Sequence, residues 1–289
     1  MDILIFGTIS ASVLLLSSIG FALILKTDGF INVAHGQMLL LGAYIALYLI
    51  DLGAGFILSA ILASTACGLV GILLYRFIFQ PVKRQGTLVL LFTSVGVAYI
   101  INGFVGFVAG LRMLAFDLPP VRAIRIGGVP FMTPYELAIT VAALLSALGI
   151  HLFLNHTWSG KSMRAVSDNE SLARLRGFDP KRTSDIVWFV GSALGGLAGV
   201  FLGALGSLHL QMGWQQMVII LAVAVLGGLG SIYGVMLAAL VLAFGTELAL
   251  TVVSSSYRTG IAFFIIIIVL LIRPGGLQSL WGGGVARAH

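Results

Sequence analysis

Between Ile3 and Leu25 the chain runs without a single charged side chain, and apolar runs of similar length recur at Ala54 to Phe79, Thr87 to Ala109, Tyr135 to Leu154, Ile186 to Leu208 and Val235 to Val253. A helix needs roughly 20 mostly apolar residues to cross the hydrocarbon core of a bilayer. Inside lipid every backbone amide must be paired within the protein, so runs of this length span as helices. Composition agrees: 59% of the residues are hydrophobic and 9% charged, against about 25% charged in a soluble domain. The pattern predicts an all-α polytopic membrane protein, with residues 1–289 forming one transmembrane domain. Asp2 stands where a signal peptide carries basic residues, so the first run reads as a spanning helix.

Two apolar runs are short. Met38 to Ile50 follows a polar, Gly-containing passage from Thr27 to Gln37, and Met217 to Leu226 is broken by Gly227 to Ser231. Ile261 to Ile272 forms a last helix, and together the runs predict about eight crossings, two of them short or broken. An internal repeat is possible, because His35-Gly36-Gln37-Met38-Leu39 lines up with Tyr233-Gly234-Val235-Met236-Leu237 at a second break.

The net charge of +6 reports topology rather than a nucleic-acid partner. Lys and Arg accumulate on cytoplasmic loops. That rule places Arg76, Lys83 and Arg84, the cluster within His156 to Ser184, and the tail with Arg273 and Arg287 in the cytoplasm. It expects the amino terminus outside and the carboxyl terminus inside, with the arginines of Leu111 to Pro134 facing outward against the rule. The glycine-rich tail, 274–289, reads as flexible apart from an interfacial Trp281. The lone cysteine, Cys67, allows neither an internal disulfide nor a thiolate metal cluster.

The polar stretch 156–184 contains a well-punctuated short helix. Ser167 and Glu170 have capping-box spacing, Gly177 suits a left-handed C-cap, and Pro180 bars continuation. The enclosed helix, Asp168 to Arg176, would be about 13 Å long, too short to span. It reads as a handle for a soluble partner, with Leu172 and Leu175 as a small apolar face. Gly160-Lys161-Ser162 ends like a phosphate-binding loop, but Asn155 stands where that motif needs glycine. No nucleophile elbow, paired catalytic carboxylates or zinc-spaced ligands occur, so neither a catalytic nor a metal site is expected.

Gly191, Gly195, Gly199 and Gly203 recur every four residues and leave a groove for close helix packing, within the subunit or across a dimer. Polar residues at membrane depth are costly and often mark a pathway. Here they are Asn32, His35, Gln37, Ser94, Asn102 and Glu247; Asn32 and His35 would share a face of a helix, beside Gly36. The alternative is that Asn32 caps a helix and His35 bonds a backbone carbonyl.

Two stretches, Gly29 to Tyr44 and Gly160 to Val200, together with the terminal Arg273 to Leu277, resemble the permease subunits of high-affinity branched-chain amino acid ABC importers. The usual coupling pattern of ABC permeases is Glu-Ala-Ala, three residues, then Gly; Ser171, Leu172, Ala173 and Gly177 hold those positions. The resemblance implies an inner-membrane importer with a second permease subunit, two cytoplasmic ATPases and an external solute-binding protein. ATP and Mg would bind in the ATPases, and this chain would hold no cofactor. Coupling would fall to Asp168, Glu170, Ser171, Leu172, Ala173, Leu175 and Gly177. Relatives of the family also carry urea and short amides. A secondary transporter would explain the broken helices, and a structural assembly subunit would explain the glycine face; neither explains both features and the capped helix.

Overall fold

The computed structural model describes residues 2–119, 121–126, 129–254, 257–272 and 276–277. The predicted tail, Trp281 included, therefore lies outside the described residues except at Gly276 and Leu277. The described chain is helical: α1 (Asp2–Asp28), α2 (His35–Asp51), α3 (Phe56–Leu74), α4 (Gln80–Val82), α5 (Thr87–Ala109), α6 (Pro134–His156), α7 (Trp158–Asp168), α8 (Glu170–Leu175), α9 (Pro180–Leu205), α10 (Met212–Gly227), α11 (Ile232–Ala249) and α12 (Arg258–Ile272). A wide turn at Tyr75–Phe79 joins α3 to α4. Arg125–Ile126 and Val129–Pro130 form a minimal antiparallel hairpin.

Six helical stretches are long and apolar enough to cross a membrane, and Met212–Gly227 and Gly260–Ile272 are shorter apolar helices. The protein is an all-α polytopic membrane protein. With α2, which is largely buried in the bundle, these helices number nine among the described residues, one more than the expected eight, in which the short run from Met38 to Ile50 is already included.

Side-chain bonds sort the helix ends into two sides. At one side Asp28, ending α1, meets Lys83 after α4 and Ser184 and Trp188 early in α9. Lys83 also meets Glu170 of α8, and Tyr233 early in α11 meets His151 late in α6. At the other side Ser10 of α1 meets Glu247 late in α11, which meets Arg258 opening α12. There Phe56, opening α3, packs edge-on against Tyr135, and Leu114 pairs with Leu208.

α2 and α10 begin in the interior. His35 lies against Ser17, halfway along α1, while α2 ends beside Phe56 on the side away from α8. α10 begins with Gly213 packed against Gly36, and its last residue, Gly227, packs on Gly234 at the α8 side. The two helices thus run in opposite directions from touching first turns. α1, α2 and α3 are matched by α9, α10 and α11 with every direction reversed, and α3 packs on α9 as α11 packs on α1. This is an inverted repeat. Its register differs from the one expected: Gly36 is matched by Gly213, whereas Tyr233 and Gly234 open a helix at the α8 side. The five-residue likeness of 35–39 to 233–237 reflects only how common Gly and Leu are in this chain.

α9 is the axis of the packing. An added Cβ at Gly191 would meet Gly20 and Ile24, at Gly195 His35, at Gly199 Leu39, and at Gly203 Leu208 and Phe116. The glycine face therefore seats α1 and α2 of the same chain.

Candidate functional site

The polar stretch 156–184 folds as two short helices and the start of α9. α7 buries Gly160, Ser162, Met163 and Val166 against the bundle. The short helix that follows is Glu170–Leu175, not Asp168–Arg176, and its cap is Asn169, whose Oδ1 accepts from the Leu172 amide at 2.9 Å. Ser167 belongs to the last turn of α7, and its hydroxyl donates back to the Met163 carbonyl at 2.7 Å. Asn169 is the residue with the extended backbone that an N-cap requires, at φ −159°. Gly177 closes α8 as expected, at φ +84°, with Phe178 N–H bonded to the Ala173 carbonyl. Pro180 also starts α9, capped by Asp179.

Glu170 looks inward rather than capping. Its carboxylate meets Arg174 at 2.7 Å and Lys83 at 3.3 Å. Partial burial pushes the Glu170 carboxyl up, but the Arg174 hydrogen bond and the Lys83 charge outweigh it and hold the group below its ordinary value. Lys83 reaches on to Asp28 at 2.8 Å, a carboxylate whose side chain is 2% exposed. Asp28 also accepts from Ser184 at 3.0 Å and from the Trp188 indole at 2.7 Å. Trp188 packs with Phe30, Phe79 and Tyr75. A continuous polar chain thus runs from α8 to the end of α1 and into the core. Sequence reasoning missed Asp28 and Lys83; the signal was an acid closing a long apolar run with a basic turn two helices later.

The outer face of α8 is different. Leu172 is 53% exposed and Leu175 85% exposed, with Ser171 and Arg176 also on the surface, while Ala173 is buried against the protein. Asp168, ending α7, is exposed beside them. Two leucines one turn apart on a polar, water-facing helix form a ready contact face.

The residues expected to line a pathway fall into two groups. Asn32 precedes α2 instead of sharing a helical face with His35; its Oδ1 accepts from the Ala34 amide at 3.2 Å. Ser94 of α5 accepts from Val33 N–H at 3.0 Å, which pins the same segment. His35 is completely buried, its Nε2 2.9 Å from the Ser17 carbonyl, and its Nδ1 has no partner. Gly36 touches Gly213, and Gln37 Oε1 accepts from Asn102 at 3.3 Å, leaving Gln37 Nε2 unpartnered. Asn102 also donates to the Leu210 carbonyl at 2.9 Å, joining the entries to α2 and α10. Glu247 stands apart at the side away from α8, held by Ser10 at 2.9 Å and Arg258 at 2.6 Å. Among the described residues no group of three or more potential metal ligands gathers.

Comparison with known proteins fits this architecture. Residues 3–270 match the family model described as branched-chain amino acid transport system / permease component. The chain is 27% identical to the high-affinity branched-chain amino acid transport system permease protein LivH of Escherichia coli (strain K12), over 94% of this chain and 92% of that one. It is also 27% identical to the permease protein BraD of Pseudomonas aeruginosa, over 95% and 94% of the two chains. A probable branched-chain amino acid transport permease of Methanocaldococcus jannaschii is 26% identical over 94% and 90%. No solved structure matches. With one family model spanning nearly every helix, and full-length relatives that share it, this chain belongs to the branched-chain amino acid transport permease family.

Proposed function

We propose that this chain is a permease subunit of an ATP-driven importer of branched-chain amino acids, set in a bacterial-type inner membrane. The observation that carries the reading is α8: an exposed Leu172–Leu175 face on one side and an ion-paired connection to Asp28 on the other. Such a helix can take a push from a soluble partner and pass it to α1 and α9. Two cytoplasmic ATPases would bind ATP and Mg and dock there, a second permease subunit would complete the pore, and an external solute-binding protein would deliver the solute. This chain's own role is mechanical and selective, without a reaction of its own.

The touching first turns of α2 and α10 form the gate of the pathway in this reading. His35, Gly36, Gln37 and Asn102 close it in the conformation described, and backbone N–H groups freed on opening would face the solute carboxylate. Opposite-sided termini need an odd number of crossings, which α2 supplies as a ninth beside the eight apolar helices. The α8 side is then cytoplasmic, in line with Arg76, Lys83, Arg84, Arg174 and Lys181 gathering there.

The test is reconstitution with the partner subunits. Leu172→Asp should leave membrane insertion intact and uncouple ATP hydrolysis from leucine uptake; unchanged uptake would remove α8 from the mechanism. His35→Asn should alter uptake kinetics at constant complex abundance. Uptake driven by an ion gradient without ATP would favour a secondary transporter, a reading that the inverted halves also suit. Competition by urea or acetamide in preference to leucine would move the substrate class.

A further inference from the structure

A pocket of about 560 Å³ opens at the α8 side, between the turns that follow α3 and the starts of α8 and α9. Four cations line it, Lys83, Arg84, Arg174 and Lys181, against one carboxylate, Glu170. Lys83 is taken by Asp28 and Glu170, and Arg174 by Glu170. Among the described residues, neither Arg84 nor Lys181 has an ion-pair or side-chain hydrogen-bond partner. Two cations from separate elements thus converge on one concavity without an anion between them. The surroundings name the anion. Gln80 of the pocket wall lies four residues beyond Arg76, and Lys181 lies four before Asp185 on α9. Arg76 and Asp185 pair across the seam of α3 and α9 at 2.7 Å, and the arginine faces outward. The pocket is therefore the mouth of that seam, and past the ion pair the exposed side chains are apolar: Leu73, Phe77 and Ile186.

We propose that this pocket holds the phosphate of an anionic phospholipid, with the lipid's acyl chains lying along Leu73, Phe77 and Ile186. Arg84 and Lys181 take the phosphate oxygens. Arg174 spends one of its five N–H donors on Glu170, so others remain for the same phosphate. Guanidinium forks match phosphate geometry, and a hydrogen bond between charged groups is about twice as strong as a neutral one. Basic pockets between membrane helices are sites where anionic headgroups bind. A free phosphate or an acidic side chain would gain the same ion pairs but would leave the apolar seam unused, and this favours lipid. Room is ample, since a cavity of about 150 Å³ already holds benzene. The bound headgroup would join α8 to α9 and to the turn before α5, bracing α8 beside the Lys83 link. The site needs only an anionic leaflet at the α8 side, whatever solute the protein carries.

The experiment titrates the assembled complex in detergent micelles with dioleoyl phosphatidylglycerol or dioleoyl phosphatidylcholine and counts bound lipid by native mass spectrometry. Phosphatidylglycerol should bind saturably, one per copy of this chain, and more tightly than phosphatidylcholine. Each basic residue beside an anionic headgroup is worth about fivefold in binding, so Arg84→Gln with Lys181→Gln should weaken it about 25-fold. Arg112→Gln with Arg122→Gln removes the same charge at the other side and should leave it unchanged. Equal binding of the two lipids, or equal losses in the two double variants, overturns the site. Displacement of the lipid by millimolar inorganic phosphate overturns the lipid and makes this a site for a soluble anion. A carbodiimide joins an amine to a carboxylate only where the two touch, so a link from Lys181 to another subunit would show a protein acid in the pocket instead. Phosphatidylglycerol with a photoreactive acyl chain should label Leu73, Phe77 or Ile186, and labelling confined to other segments overturns the proposal. If the Arg84–Lys181 double variant does not assemble, this labelling of the unsubstituted complex still decides.

Discussion

At Gly199 of α9 there is no room for even one added carbon, because a Cβ would collide with the carbonyl oxygen of Leu39 in α2. The obstacle is backbone, which cannot swing aside as a side-chain tip can. Gly149 of α6 is the contrast, with open space where its Cβ would be. Helix association in lipid depends on close backbone approach, since lipid tails leave no hydrophobic drive between helices. Gly199→Leu should therefore cost about 3 kcal/mol or more. Gly149→Ala should be neutral or stabilise by up to about 1 kcal/mol through helix propensity. Thermal unfolding in detergent reads both, and equal effects at the two positions would refute the packing account. The four-residue glycine spacing was legible in the sequence. Which helices filled the groove was not, because spacing fixes a face and says nothing of its neighbour.

At the scale of elements, the link between α8 and the membrane core hangs on Lys83. Removing one partner of a buried ion pair strands the other charge, at a cost of roughly 3–5 kcal/mol. Asp28 keeps the Trp188 and Ser184 donors, so Lys83→Met should sit at the low end, about 3 kcal/mol. Adding Asp28→Asn removes the stranded charge and should recover part of the loss; a double variant as damaged as the sum of the singles would show that the two do not act together. Glu170 gives the same link a pH dependence. Its carboxyl is held below the ordinary value, so its contribution is present above about pH 4.3 and fades as pH falls through its lowered value. Protection of the α8 amides, corrected for the intrinsic pH dependence of exchange, should hence be flat from neutral pH to about 5 and fall only below about pH 4.3, as the carboxylate is protonated; a loss of protection near pH 6 to 7 would contradict the pairing. The sequence announced α8 but misplaced its start, because Ser167 and Asn169 both satisfy N-cap chemistry. Only the fold shows that the Ser167 hydroxyl is already taken by α7. Hydropathy likewise found the short runs of α2 and α10. It could not see that they start in the interior and point apart, since the mean hydropathy of a run carries no direction.

The whole molecule has two polar ends and one thiol, and together these make its orientation testable. The Asp28–Lys83–Glu170 end also carries α8, while the Ser10–Glu247–Arg258 end carries the 110–118 segment bound to Leu208. Leu175 on the first is 85% exposed and Leu111 on the second 87% exposed, whereas Cys67 is wholly buried. A single cysteine at either leucine can therefore be labelled against a silent background. Lys and Arg favour the cytoplasmic side, and the α8 end gathers most of the described basic residues, although Arg112, Arg122 and Arg125 sit between α5 and α6 on the other. The inverted repeat constrains the outcome further. With α2 and α10 running apart from touching first turns, the two sides differ by loop chemistry rather than by fold, so loop charge decides the orientation. In intact cells a membrane-impermeant maleimide should modify Leu111→Cys at once and Leu175→Cys only after permeabilisation, with the unsubstituted chain unlabelled throughout. The reverse order would put α8 outside, beyond reach of any cytoplasmic ATPase. Labelling of both in intact cells would show that the chain inserts in two orientations, as the arginines on the outer loop would then require.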